Sequence, residues 1–269
     1  MHSHKIKKTF FVTTILIFLF FNIKIASKEQ KFVFMTMLYN EKNIDRQQEY
    51  ITCLKHNLEH PSINHIHVLY DIESDNQSNN ILAFLQKNKV SITYISGRAT
   101  YGDFFNLAKE SYPDKYIIIA NADIFFDDSL RLLETFDFTD VFLALTRWNI
   151  RQACAPILAD SQWNQEKKQL LGHHFNPATK TSGINSLSTD VWIFKSPLKK
   201  FEHDDIVLGT QWCDPCIVYQ AQKAGLKVIN PCLTIRCYHL HQTNIRNWTW
   251  QDKPPKNYPY SLLQYTFLN

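Results

Sequence analysis

The residues from Tyr116 to Ala120 form an apolar run that leads straight into Asn121-Ala122-Asp123. On extended backbone, side chains two residues apart point the same way, so Asn121 and Asp123 can aim oxygens at one ion. Hard oxygen ligands suit Mg2+ or Mn2+ held together with substrate phosphates. The next acids, Asp127 and Asp128, are assigned to capping a helix over residues 129–134, where a carboxylate accepts orphan N–H groups. His239-Leu240-His241 puts two imidazoles on one face of an extended run, as metal ligands or as satisfied core histidines. Asp214 opens a helical pattern at Trp212-Cys213-Asp214-Pro215-Cys216. A carboxylate there is either a general base for a substrate hydroxyl or a helix N-cap. Arg98 and Arg147 are candidates for phosphate contact or for surface ion pairs.

These groups need a scaffold, and the pattern supplies one. Strand-like runs at 31–37, 65–70, 91–95 and 116–120 alternate with helical patterns at 45–59, 79–89 and 101–111. On the first helix Tyr50, Leu54 and Leu58 share a face. Four such units with helical crossovers predict a largely parallel sheet, and its fully apolar strands are expected because helices cover both faces. Ligands bind such sheets at the carboxyl ends of the strands, where Asn121 and Asp123 fall. The second half is less regular. Runs at 141–145, 191–194, 227–230 and 233–239 predict strands, and 214–223 predicts a helix ended by Gly225. The polar stretch 148–189 is long enough to be a functional lid or a partly disordered segment. With six glycines, no G-x-G-x-x-G and no G-x-x-x-x-G-K-[ST], the chain lacks the phosphate-binding elements of dinucleotide-binding and P-loop folds.

In order and spacing, these motifs resemble the GT-A glycosyltransferases over about residues 31–250. Asn121-Ala122-Asp123 after an apolar strand is similar to the family's DxD element, with Asn replacing the first Asp. Met37-Leu38-Tyr39-Asn40-Glu41 ends the first strand, where the family contacts the nucleotide. Tyr101 to Ala108 resembles the helix that carries an Asn, here Asn106, ahead of the metal motif. Trp212-Cys213-Asp214 resembles the acidic element that provides the base in inverting members, with Cys213 in place of its first acid. His239-Leu240-His241, after Asn230-Pro231, resembles the histidine segment that closes the metal and diphosphate site.

The resemblance implies a single-domain α/β fold, GT-A-like and Rossmann-type, with a mostly parallel mixed sheet flanked by helices. Residues 28–127 would form a nucleotide-sugar-binding half, and 128–269 an acceptor and catalytic half. It implies transfer of a sugar from a nucleoside-diphosphate sugar to a glycan, lipid or protein acceptor, assisted by Mn2+ or Mg2+. Asn121, Asp123, His239 and His241 are the implied metal ligands. Tyr39, Asn40, Arg98, Asn106, Asn121, Asp123 and Arg147 are implied to contact the nucleotide sugar. Asp214 is the implied base. Asp190, at the start of the 191–194 run beside Trp192, is a second acid that either holds sugar hydroxyls or faces water at a strand edge.

Two other classes remain open at this point. One is a secreted carbohydrate-binding module without turnover. The other is a zinc-stabilised structural protein, because Cys213, Cys216, Cys232, Cys237, His239 and His241 have zinc-like content. A redox role for the Cys213/Cys216 pair would want a thioredoxin-like setting earlier in the chain.

At 269 residues, 45% of them hydrophobic, the chain can bury a sizeable core. Its formal charge of +4 comes entirely from Lys5, Lys7, Lys8 and Lys24, so the body is near neutral and offers no electrostatic footprint for nucleic acid. Those lysines flank an apolar run from Phe10 to Ile23, followed by Ala26-Ser27. This layout predicts a signal peptide, or an uncleaved signal anchor, over 1–27 and entry into the secretory pathway. An oxidising compartment permits disulfides, and Asn76-Gln77-Ser78 and Asn247-Trp248-Thr249 are sequons.

Overall fold

The structure is a computed structural model that describes residues 30–74, 80–150, 155–159, 181–186, 188–243, 245 and 253–268. The targeting segment 1–27, both sequons, Cys154 and residues 160–180 of the polar stretch lie outside the described residues.

The chain runs β1 (Phe32–Leu38), α1 (Ile44–Glu59), β2 (Ile63–Asp71), α2 (Asn80–Lys87), β3 (Ser91–Ile95), α3 (Tyr101–Ser111) and β4 (Tyr116–Ala120). β5 (Ile124–Phe126) and a 3-10 turn at Asp128–Leu133 follow, then β6 (Val141–Leu145), β7 (Trp148–Asn149), β8 (Ile157–Leu158), β9 (Thr181–Ser186) and β10 (Val191–Lys195). The last elements are α4 (Cys213–Lys223), β11 (Lys227–Ile229), β12 (Cys237–His239) and β13 (Leu263–Thr266).

Seven strands form the main sheet in the order β11-β6-β10-β4-β1-β2-β3. β1 to β4 are mutually parallel, as the alternating pattern predicts. β10 enters antiparallel between β4 and β6, and β11 pairs parallel with β6. The fold is therefore a mixed, mostly parallel α/β sheet flanked by helices, and it draws strands from both halves of the chain. In β4, Ile117 to Ala120 are fully buried because each face of the sheet carries its own core. On one face Tyr50 and Leu54 of α1 and Ile81 and Leu85 of α2 pack against Phe34, Ile118 and Ile193. On the other, Tyr101 and Phe104 of α3 and Ile217 and Ala221 of α4 pack against Met35, Ile119 and Trp192.

The helix ends follow local chemistry. Asn43 caps α1, and Thr100 with Asp103 forms a capping box on α3. Gly225, at φ +79°, takes the left-handed position after α4. Asp127, not Asp128, caps the 3-10 turn by accepting from the Ser129 N–H. The run predicted at 233–239 is extended only over β12. Before it, Thr234 and Ile235 turn back to the Pro231 carbonyl.

A second sheet, β5-β12-β7-β8, is small but positions the site. Its register sets His239 opposite Ile124 and beside Asn149. The Leu240 N–H then donates to the Asp123 carbonyl at 2.9 Å.

Candidate functional site

A cavity of about 620 Å³ opens at the carboxyl ends of β1, β2 and β4. Strand ends place Tyr39, Asp71 and Asn121 to Asp123 there, and the small sheet adds His239 and His241. Arg147 follows β6, Asp190 precedes β10, and Asp214 comes from the first turn of α4. The switch of strand direction at β10 brings Asp190 to the same end of the sheet as Asp123.

The buried centre is Asp123, which is 5% exposed. Its Oδ2 accepts from Arg46 Nη2 at 2.5 Å and lies 3.0 Å from His239 Nε2 and 3.9 Å from His241 Nδ1. Burial alone would push its carboxyl up; His239 and Arg46 outweigh that and hold it well below the usual carboxylate range. Asp123 Oδ1 and His241 Nε2 are buried with no hydrogen-bond partner. Burial, then Arg46 and His239, lower the His241 imidazole to about 4, so it is neutral near pH 7. Asn149 Oδ1 lies 3.0 Å from His239 Nδ1. An acceptor therefore faces each ring nitrogen of His239, and an ion bound at Nε2 would take the place of the proton shared with Asp123.

Asp123, His239 and His241 bring potential ligand atoms within 4.8 Å of one another, the one such group among the described residues. A carboxylate and two imidazoles, with Asp123 Oδ1 and His241 Nε2 buried and unpartnered, fit a divalent first-row ion. The described cysteines do not converge into a comparable group: Cys53, Cys213, Cys216, Cys232 and Cys237 are free and buried.

A second network lies alongside. Arg147 Nη1 donates to Asp190 Oδ2 at 2.5 Å, and Asn121 Nδ2 donates to Asp190 Oδ1 at 3.0 Å. Arg147 Nε donates to Asn149 Oδ1 at 3.1 Å, which links this network to His239. Asn121 is thus held by Asp190. Gly209, at φ +74°, allows the chain to pass close by, since a Cβ there would stand 3.3 Å from Asn121 Oδ1. Asp214 Oδ2 accepts from the Thr189 N–H at 3.1 Å, and Oδ1 accepts from the Cys213 thiol at 3.0 Å. Burial and then the charge of Asp190 push the Asp214 carboxyl well above the usual range. Asp214 is not the N-cap of α4. That position is Trp212, at φ +71° with no side-chain cap bond, and the Asp214 carboxylate serves a different segment.

Of the residues singled out in the sequence, Tyr39, Arg98, Asn121, Asp123, Arg147, Asp190, Asp214, His239 and His241 line the cavity. Asn40 and Asn106 do not. Asn40 is buried, with its N–H donated to Ser74 Oγ, and Asn106 lies on the exposed face of α3. Sequence reasoning missed Arg46, Glu49 and Asn149. Arg46 had a readable signal: it precedes Tyr50 by one helical turn, so a cation falls on the buried stripe of α1.

No protein-family model matches the chain, and no curated protein matches it. Among solved structures, it is similar to the mannosyltransferase PcManGT from Pyrobaculum calidifontis in complex with GDP-Man and Mn2+. That match has a TM-score of 0.49 and 12% identity, and covers 78% of this chain and 57% of that one. A second match, S. aureus TarS, has a TM-score of 0.46 and 15% identity, and covers 78% of this chain and 36% of that one. The chain thus spans well under two thirds of either protein. Likeness at this level carries no functional argument, and the fold rests on the topology described above.

Proposed function

We propose that this chain is a glycosyltransferase that moves a sugar from a nucleoside-diphosphate sugar to an acceptor hydroxyl with the help of a divalent ion. The observation that carries the reading is the convergence of buried Asp123 with His239 and His241 at the carboxyl end of the sheet, beside three arginines and a carboxylate of raised pKa. The order of motifs in the sequence supports the same reading.

Asp123, His239 and His241 would hold the ion; two imidazole ligands and a single carboxylate favour Mn2+ over Mg2+. Bound there, it stabilises the charge that builds on the leaving diphosphate. Arg98 and Arg147 face the same cavity and offer guanidinium groups to phosphate oxygens. Asp214 accepts the proton of the acceptor hydroxyl as that oxygen attacks the sugar carbon and the bond to the diphosphate breaks. Its hydrogen bonds come from neutral donors, and its raised pKa makes it the stronger base once ionised. Asp190 fixes Arg147 and Asn121, and both its oxygens are already occupied.

The test is a thermal-shift screen of nucleotide sugars with Mn2+, followed by measurement of nucleoside-diphosphate release. Stabilisation by one donor with diphosphate release is expected. Sugar binding without release would favour a lectin. Metal analysis belongs in the same experiment, since two histidines and a carboxylate also hold Fe(II). The secretory route is part of the proposal, motivated by the basic and apolar layout of residues 1–27. Retention of the unprocessed full chain in the cytosol of a secreting host would count against it.

A further inference from the structure

Arg46 is a buried cation for which the reaction described above has no use. Its Nε donates to the Tyr50 hydroxyl at 3.1 Å, and its guanidinium carbon lies 4.6 Å from the centre of the Tyr50 ring. Nη1 donates to Glu49 Oε2 at 2.7 Å and to the Leu240 carbonyl at 3.4 Å, and Nη2 donates to Asp123 Oδ2 at 2.5 Å. Glu49 is held in turn, by the N–H groups of Gln242 and Thr243 at 2.7 and 2.9 Å and by the Thr243 hydroxyl at 3.1 Å. The side chain is 7% exposed. A guanidinium fixed by four partners cannot swing aside when another cation arrives.

We propose that Arg46 is a resident counter-cation of Asp123, which keeps a divalent ion from binding tightly by itself and makes its retention depend on a diphosphate. This rests on the metal reading under Proposed function. Asp123 is the only carboxylate in the three-ligand group, and Arg46, shared with Glu49, offsets part of its charge and occupies Oδ2. An ion approaching Oδ1 and the two imidazoles therefore meets a weakened attraction and has a like charge beside it, in a site where charges are poorly screened. A bound diphosphate brings negative charge to the open side of the ion and restores the attraction. Ion and diphosphate then raise each other's affinity by the same factor.

The experiment measures Mn2+ binding to the full chain by calorimetry or electron paramagnetic resonance, alone and with inorganic pyrophosphate, correcting for the Mn2+–pyrophosphate complex in solution. The wild-type protein should bind Mn2+ at least about tenfold tighter with pyrophosphate, within the usual range of coupling between sites. Arg46→Gln should bind Mn2+ alone at least about tenfold tighter than wild type and gain less from pyrophosphate. Arg46→Lys, which keeps the charge, should behave as wild type. Should Arg46→Gln not fold, the Arg46→Gln/Glu49→Gln pair leaves no unpaired Glu49 and still frees Asp123 Oδ2 of its adjacent cation, so it should tighten Mn2+ binding in the same direction but by less. Equal Mn2+ affinity with and without pyrophosphate in the wild type, or no tightening in a folded neutral variant, overturns the role of Arg46. Absence of Mn2+ binding under every condition overturns the metal reading itself.

Discussion

Asp190→Asn separates a clamp from a base. Asp190 is 4% exposed and ion-paired to Arg147 at 2.5 Å. Removing one partner of a buried pair costs about 3–5 kcal/mol, because the other charge stays behind uncompensated. The Arg147 side chain is 18% exposed and borders the cavity, so water can take up part of its charge. The lower end, about 3 kcal/mol, therefore applies. For a domain of this size, that is a fall in melting temperature of about 6–12 °C. Thermal melts by circular dichroism on wild type, Asp190→Asn, Arg147→Gln and the double variant give the cycle. The double variant should recover about 2 kcal/mol of the summed single losses, since the two residues are in contact. A melting temperature for Asp190→Asn within about 2 °C of wild type, or strictly additive losses, would refute the clamp.

The same variant reports on Asp214. Burial raises the Asp214 carboxyl first, and the negative charge of Asp190 adds to that. Without that charge Asp214 ionises at lower pH, so the acid limb of the rate–pH profile should move to lower pH in Asp190→Asn. If the limb stays in place, Asp214 is not the group that produces it.

Three further outcomes follow from the same geometry. Asp214→Asn should lower turnover by a factor on the order of 10² or more while leaving donor affinity and melting temperature nearly intact, because its partners are neutral donors; near-normal turnover would move the base elsewhere. Asp123→Ala should abolish most Mn2+-dependent nucleotide binding, whereas Asp128, exposed and 3.8 Å from Arg131, should tolerate Ala within about 0.5 kcal/mol by denaturant titration. His67, bonded to Tyr112 and Thr93, is lowered to about 4 by burial and then by His65. Its folded pKa lies below the unfolded value, so its contribution is present above about pH 6.5 and is lost as pH falls towards 4, by at most about 3 kcal/mol. Urea midpoints at pH 7 and pH 4 should therefore lie closer together in His67→Gln than in wild type.

What could be read from the sequence was what the chain decides locally. β3, α3, β4 and β6 have the limits their patterns predict, because each carries a complete apolar period or a capping box within a few residues. Asp123 was readable because a fully apolar strand must end somewhere, and a carboxylate at that end is conspicuous. Asn106 is the complementary case: its helix has the predicted limits, but nothing local says which face of α3 meets the cavity, and Asn106 lies on the exposed one. β5, β7, β8 and β12 are two or three residues long, too short for any periodicity to declare them, and they exist only through pairing with distant segments. Yet those pairings bring His239 to Asp123 and Asn149 to His239. Arg46 lies between the two cases. Its place on the buried stripe of α1 could be read one turn from Tyr50, but its partner is 77 residues away. A buried arginine has to find a carboxylate, and the one it finds is the carboxylate a metal would need. The sequence shows that a charge must be neutralised inside the molecule; the pairing of the short strands decides that the neutralisation happens in the cavity at the carboxyl end of the sheet.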